Sequence, residues 1–471
     1  MDARGASHRP SMTVVDLEES PGARASRRTG ERAWPTDAPL ARFVHLHRRR
    51  FAAVAALVAL VVGGVLVVGP RVTAGAERRD VLAAAAFASG VRSLAHPLRE
   101  RWRADVGDAF DPVLVGATLV VPDPDDGRGV VGLDVVTGER LWGRALDAFG
   151  PVQGCVEVAA RVACLAGLDG RADLPPAVLS VLDAGDGELV ATHELVGRWS
   201  AIASADEDVV LAGWLPVGLR VERLDPISAA PRWTSPSRTT DNPRAQGGVS
   251  LDVGAGVVVA TSSPERLLLD ARTGESRVAD DDDEIRVRPD GTVLRTRTSP
   301  TRRGYAISTT VMWPTGSTPA TTTALGRAAL VAVDDRARPG VVTLEPRRRG
   351  LVVRQYAPGS NDPTWSSDEV GGSVVANLRD RVVLRRASAL VALDAASGQR
   401  VWQRPSDDAD GAVLSDGSRL AVVGAQRTLV VLRLDDGSDA WSQELPAGTD
   451  AVVTIGSQAY ATGRGVLVAL R

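Results

Sequence analysis

An all-β fold, a β-propeller of about eight four-stranded blades, is what this sequence predicts, and the expectation rests on repetition, strand density and the two chain ends. A strand-turn motif keeps returning: a short apolar run enters Asp-x-x-Thr/Ser-Gly, and Trp follows four residues after the glycine. Its fullest copies are 131–138 with Trp142 and 391–398 with Trp402. A further strand signal precedes the copies at 116–121, 209–211, 256–260, 381–384 and 418–423. Roughly three to four short strands therefore fill a period of about 40–45 residues, the spacing of propeller blades. The ends complete each other. The chain stops at the strand 466–471 with no turn or Trp after it, whereas Trp102 comes with no strand-turn before it. Trp102 is therefore expected to open the outermost strand of the last blade, paired with the strand holding Leu467 and Ala469, which closes the ring and removes two open sheet edges.

In chain order, the repeat begins with Asp134, Gly138 and Trp142. The next copy keeps Asp183 and Gly187 but has Ala191 in place of Trp, and the third keeps Asp225 and Trp233 without the glycine. Asp270 and Gly274 follow, with Val278 replacing Trp. A degenerate copy runs from Tyr356 through Asn361 to Trp365. Asp394, Gly398 and Trp402 are complete, and the last copy keeps Gly437 and Trp441 but lacks the first Asp. Each residue type has a physical task. The alternating apolar run makes a half-buried strand. Asp at its end accepts hydrogen bonds from N–H groups of the following turn. Glycine tolerates positive φ where the chain reverses. Trp then packs a large apolar ring between neighbouring units. The stretch 279–364 matches poorly; taken as one blade it gives eight units, taken as two it gives nine.

The pattern resembles the PQQ-like β-propeller repeat, the family that includes quinoprotein dehydrogenases and the propeller lipoprotein of outer-membrane barrel assembly. The similarity covers 101–471, is most specific at the motifs ending in Trp142, Trp402 and Trp441, and implies eight blades. The dehydrogenases of that family hold their quinone with a catalytic Asp, a calcium ion and adjacent cysteines. This chain has no adjacent Cys pair, and none of its residues can be matched to the catalytic Asp or the calcium ligands. The resemblance therefore carries the repeat and not the quinone chemistry: no cofactor is predicted, and PQQ and calcium are not expected.

The chain has 471 residues, of which 44% are hydrophobic, enough for a large core. A net charge of −3 argues against a general nucleic-acid binder. All 55 basic side chains are Arg, a composition suited to a high-GC genome such as that of an actinobacterium. The only two cysteines, Cys155 and Cys164, flank a segment that would turn at Ala159-Ala160, which places them opposite each other at a non-hydrogen-bonded pair. A disulfide there fits an oxidising compartment; two reduced core cysteines are the alternative.

Phe51–Val68 is an uninterrupted apolar run preceded by Arg48-Arg49-Arg50. As a helix it reaches roughly 27 Å, enough to cross a bilayer. The Arg bias favours a cytoplasmic N-terminus, hence a single-pass cell-membrane protein with its propeller outside. Ala74-Gly75-Ala76 has the small-residue character of a signal cleavage site, but the long leader before the apolar run favours a retained anchor. The expected organisation is a disordered tail over 1–47, the membrane helix with flanks over 48–71, a linker over 72–97 with a short helix near 83–91, and the propeller over 98–471.

Parts for catalysis are scarce. Only His96 and His193 of five histidines lie beyond the apolar run, and no nucleophile elbow, P-loop or dinucleotide fingerprint occurs. The acidic runs 280–284 and 123–126 lack calcium-loop spacing. Arg347-Arg348-Arg349 is expected in an exposed turn. The expected function is a membrane-anchored extracytoplasmic module that binds or scaffolds a protein or cell-envelope component. A quinone-dependent dehydrogenase or other propeller enzyme, and a ligand sensor signalling through the tail, are the rivals.

Overall fold

A computed structural model describes residues 89–471 apart from 126, 147–149, 168–175, 216–217, 236–247, 255, 263–264, 278–282, 289–291, 302–303, 313–320, 336, 348–349, 369–371, 379 and 407–411. The tail, the Phe51–Val68 segment and the linker up to residue 88 lie outside the described residues. Among the described residues no helix is long and apolar enough to cross a membrane.

Among the described residues nine sheets follow one another, and each is a blade whose first to fourth strands pair in antiparallel order. They span 113–145, 152–195, 198–234, 250–277, 284–325, 327–367, 373–405 and 413–444; the ninth combines 451–470 with Glu100–Asp105. We number them blades 1 to 9 in that order. The count corrects the eight blades expected from the repeat. The stretch that fits the motif poorly folds as two complete blades, 5 and 6. Blade 7 also takes an added parallel strand, Val333–Asp334, against its first strand Ser373–Leu378.

The alternation of burial explains the layering. In blade 1 the second strand Thr118–Pro122 is buried throughout, whereas the fourth, Arg140–Ala145, buries Trp142 alone and exposes its arginines. Charged outer strands of this kind blunt an otherwise open sheet edge. The core lies between blades. Among the described residues there are nine apolar clusters, and each joins residues of two successive blades. One of them packs Trp102, Tyr460, Leu467 and Ala469 of blade 9 against Leu119, Val121, Val131 and Leu133 of blade 1.

Ring closure follows from the pairing of Glu100–Asp105 with Val466–Leu470, in which Trp102 stands opposite Ala469 and Ala104 opposite Leu467. The packed chain begins upstream of this strand, so the expected boundary at 98 falls inside it. Residues 89–99 form neither helix nor strand, with a turn at 89 and bends at 92, 95 and 96, and lie between blades 8 and 9 with Val91, Leu94 and Leu98 buried. Because strands alternate in direction, the turns joining first to second and third to fourth strands share one face of the ring. The turns joining second to third strands lie on the other.

Candidate functional site

The repeated Asp, Gly and Trp residues sit on the turns and outer strands, where one arrangement recurs at successive blade interfaces. The turn between third and fourth strands begins with Asp. The Asp134 carboxylate accepts hydrogen bonds from the N–H groups of Val136 (2.8 Å) and Thr137 (2.7 Å). Asp225, Asp270 and Asp394 repeat this, and Asp183 accepts from Gly185. These bonds stabilise the ionised form. The Thr137 N–H foremost holds Asp134 below the usual carboxylate range, the Ser228 N–H does so for Asp225, and the Ser397 hydroxyl for Asp394. In the last copy Asp436 takes over, lowered first by the Ser438 hydroxyl.

The turn then receives the Trp of the preceding blade. The Trp142 indole N–H donates to the Ala184 carbonyl at 3.0 Å, Trp233 to Ala271 at 2.9 Å, Trp365 to Ala395 at 3.0 Å and Trp402 to Leu434 at 2.8 Å. Trp102 donates to Val135 across the closure at 3.2 Å. The turn glycine lies beneath the same ring. Gly138, Gly187, Gly274, Gly398 and Gly437 all have φ near +70°, and a Cβ on any of them would meet the indole at 2.4–2.6 Å. Glycine is needed here twice over, for positive φ and for the approach of the preceding Trp. Blade 3 supplies the contrast. Blade 2 has Ala191 where Trp would stand, and the turn it faces carries Ala229 (φ +53°) instead of glycine. There the half-buried His193 ring nitrogen meets the Ile227 carbonyl at 2.9 Å.

Several residues with structural roles escape the motif. Arg144, two positions after Trp142, donates to the Gly187 carbonyl at 3.1 Å, and Arg404 stands likewise after Trp402, toward Gly437 at 3.5 Å. The Trp-x-Arg spacing was a readable signal. In blade 3, Arg223 donates to the Asp208 carboxylate (2.8 Å) and to the carbonyls of Ala205 and Ala271, and so ties blade 3 to blade 4. Of the acidic run 280–284, Asp283 is fully buried and paired with Arg295 and Arg297; Asp280 to Asp282 lie outside the described residues. Arg347 is paired with Glu345, as is Arg354, beside an open depression lined also by Leu351, Ser366 and Asp368. Arg348 and Arg349 lie outside the described residues.

Cys155 and Cys164 are Cα partners joined by a disulfide, and Ala159 and Ala160 between them both have positive φ, the conformation of a two-residue hairpin turn. Among the described residues, no three His, Cys, Asp or Glu side chains are grouped to hold a metal ion.

These observations define a β-propeller whose blades are joined by a recurring Asp-turn-Gly-Trp arrangement. A family model described as outer membrane protein assembly factor BamB matches residues 348–471. No curated protein matches the chain. Among solved structures, BamB from Moraxella catarrhalis is 13% identical, with 80% of this chain and 100% of that one covered and a TM-score of 0.45. The computationally designed Ika8 protein is 12% identical, with 79% and 98% covered and a TM-score of 0.43. A quinohemoprotein alcohol dehydrogenase from Pseudomonas putida HK5 is 12% identical, with 79% and 76% covered and a TM-score of 0.41.

Proposed function

We propose that this chain is a membrane-anchored, extracytoplasmic propeller that binds or scaffolds a protein or cell-envelope component. The observation that carries the reading is the employment of the motif residues. Asp, Gly and Trp of the repeat hold one blade to the next, so the ring is a stiff platform whose loops are left for recognition. The match of 348–471 to an assembly-factor model supports a protein partner. The apolar run Phe51–Val68 behind three arginines supports a single-pass anchor with the N-terminus in the cytoplasm, and the Cys155–Cys164 bridge suits a propeller in an oxidising compartment. No cofactor enters the reading, neither PQQ nor calcium.

The test is crosslinking of the full chain in intact cells, followed by identification of captured proteins, alongside incubation of the purified chain with PQQ and Ca²⁺. The expected result is a reproducible envelope partner and no bound chromophore. Stoichiometric quinone binding with dye reduction would replace the scaffold by an oxidoreductase.

A further inference from the structure

Trp441 has no turn to dock on. The outer neighbour of the third strand of blade 9, Val466–Leu470, is Glu100–Asp105 and not a strand joined to it by a hairpin, so no Asp-to-Gly turn of the kind found at other interfaces links third strand to fourth here. Residues 89–99 take its place. The Trp441 indole N–H donates to the Leu94 carbonyl at 2.8 Å, as other Trp side chains do to turn carbonyls, and Gln443 donates to the Leu98 carbonyl at 2.9 Å. The Leu94 N–H donates to the carboxylate of Asp416, which is fully buried and also accepts from the N–H groups of Ser418 and Arg419. Val91 and Ser89 bond the backbone of Ser415 in parallel fashion, Arg92 donates to the Ser457 carbonyl, and Arg99 and Arg471 exchange both backbone bonds.

These polar contacts use the backbone of the segment. Its side chains contribute Val91 (2% exposed), Leu94 (0%) and Leu98 (9%), which enter the cluster formed by blades 8 and 9. A groove that holds the backbone of a bent, irregular segment and three of its apolar side chains, spaced three and four apart, has the form of a peptide-binding site.

We propose that the cleft between blades 8 and 9 is a peptide-binding site whose resident ligand is the chain's own segment 89–99. The site takes a non-helical segment that bends as 89–99 does and has apolar residues in the Val91, Leu94 and Leu98 positions. It is filled in cis because the tether holds the segment at high effective concentration. The segment leaves and reseats while the other blades stay folded.

The test uses the full chain and a fluorescent synthetic peptide of residues 89–99. The native chain should bind it weakly, its cleft being filled. Leu94→Ala weakens the resident segment, and this variant should bind the native peptide at least tenfold more tightly. A peptide carrying Leu94→Asp should not bind. A folded Leu94→Ala chain with no gain in affinity, or equal binding of the two peptides, overturns the proposal. Hydrogen exchange on the native chain tests it without any substitution. Amides of Val91, Arg92 and Leu94 should exchange by a local opening faster than those of Thr118–Pro122. Exchange only through global unfolding would make 89–99 an inseparable part of the ring and overturn the proposal.

Discussion

Gly187 lies directly beneath the indole of Trp142, so close that a Cβ on the glycine would stand 2.5 Å from the ring carbon Cδ2. The two residues belong to different blades, and the Trp142 N–H is anchored three positions upstream of that glycine, on Ala184. The glycine of one motif thus answers to the Trp of the motif before it.

Gly187→Ala should therefore destabilise by more than backbone conformation accounts for. Left-handed backbone alone costs roughly 1–2 kcal/mol for a residue with a Cβ; displacement of the ring adds to this, for a total of about 3 kcal/mol or more. Gly116 is the control. It has φ +60° and nothing within 4 Å of an added Cβ, so Gly116→Ala should cost only the backbone share. Denaturant midpoints of the two variants check the difference.

The turn carboxylates make stability depend on acid. Asp134, Asp225, Asp394 and Asp436 all titrate lower in the folded chain than unfolded, through hydrogen bonds from their own turns. A depressed folded value means that the unfolded chain takes up protons first. The contribution is complete above the unfolded value of about 3.9 and is lost as pH falls through the folded values. Melting temperature should decline below about pH 4, and Asp394→Asn, which keeps an acceptor but not the charge, should reduce that decline.

How much of this was legible depends on the distance over which each signal acts. Blades 1, 7 and 8 announce themselves because alternation, Asp turn and Trp lie within a dozen residues. The Cys155–Cys164 register is equally local, set by one two-residue turn. Blades 5 and 6 hide because their interior is partly polar. Thr296 and Thr309 are buried and joined at 3.0 Å, and Asp283 finds Arg295 and Arg297 across a strand pair, so a search for apolar alternation reads these segments as surface. That is why the blade count came out one short. The partner of each Trp escapes for another reason: Ala184 is 42 residues from Trp142, and Leu94 is 347 from Trp441, separations that no local spacing rule spans.

Blade 5 offers a direct check on that polar interior. The Thr309 hydroxyl donates to the Gly326 carbonyl at 2.8 Å and accepts from the Ala328 N–H at 3.0 Å. Thr309→Val keeps the shape and strands both backbone groups, which should cost about 2–3 kcal/mol. Thr321→Val, at an exposed position of the same blade, should change stability by less than about 0.5 kcal/mol. Equal effects on the urea midpoint would show that the hydroxyl network contributes nothing.

The disulfide closes a loop with a sequence separation of nine, small enough that loop-closure entropy assigns it about 2–3 kcal/mol. Replacing both cysteines by serine should lower the unfolding free energy by about that amount while leaving the ring folded. Thiol labelling of the denatured native chain should detect no free sulfhydryl until a reductant is added.

Tyr460 combines a favourable ring with an unfavourable oxygen. Its ring meets Trp102 edge-on, with centroids 5.8 Å apart, and the side chain is fully buried. Its hydroxyl has no hydrogen-bond partner among the described residues. Burial pushes its ionisation up to about 12. Removing an unpaired buried hydroxyl while keeping the ring relieves a desolvation penalty, so Tyr460→Phe should be neutral or more stable by about 1 kcal/mol at pH 7. The alkaline limb supplies a second readout. Unfolded Tyr loses its proton near pH 10, whereas the folded residue holds it to about 12, so the native chain loses stability between these values as the unfolded state is favoured. Tyr460→Phe lacks this term, and its advantage over the native chain should widen above pH 10. A variant less stable than the native chain at pH 7, with no widening at high pH, would mean that the hydroxyl is hydrogen-bonded after all.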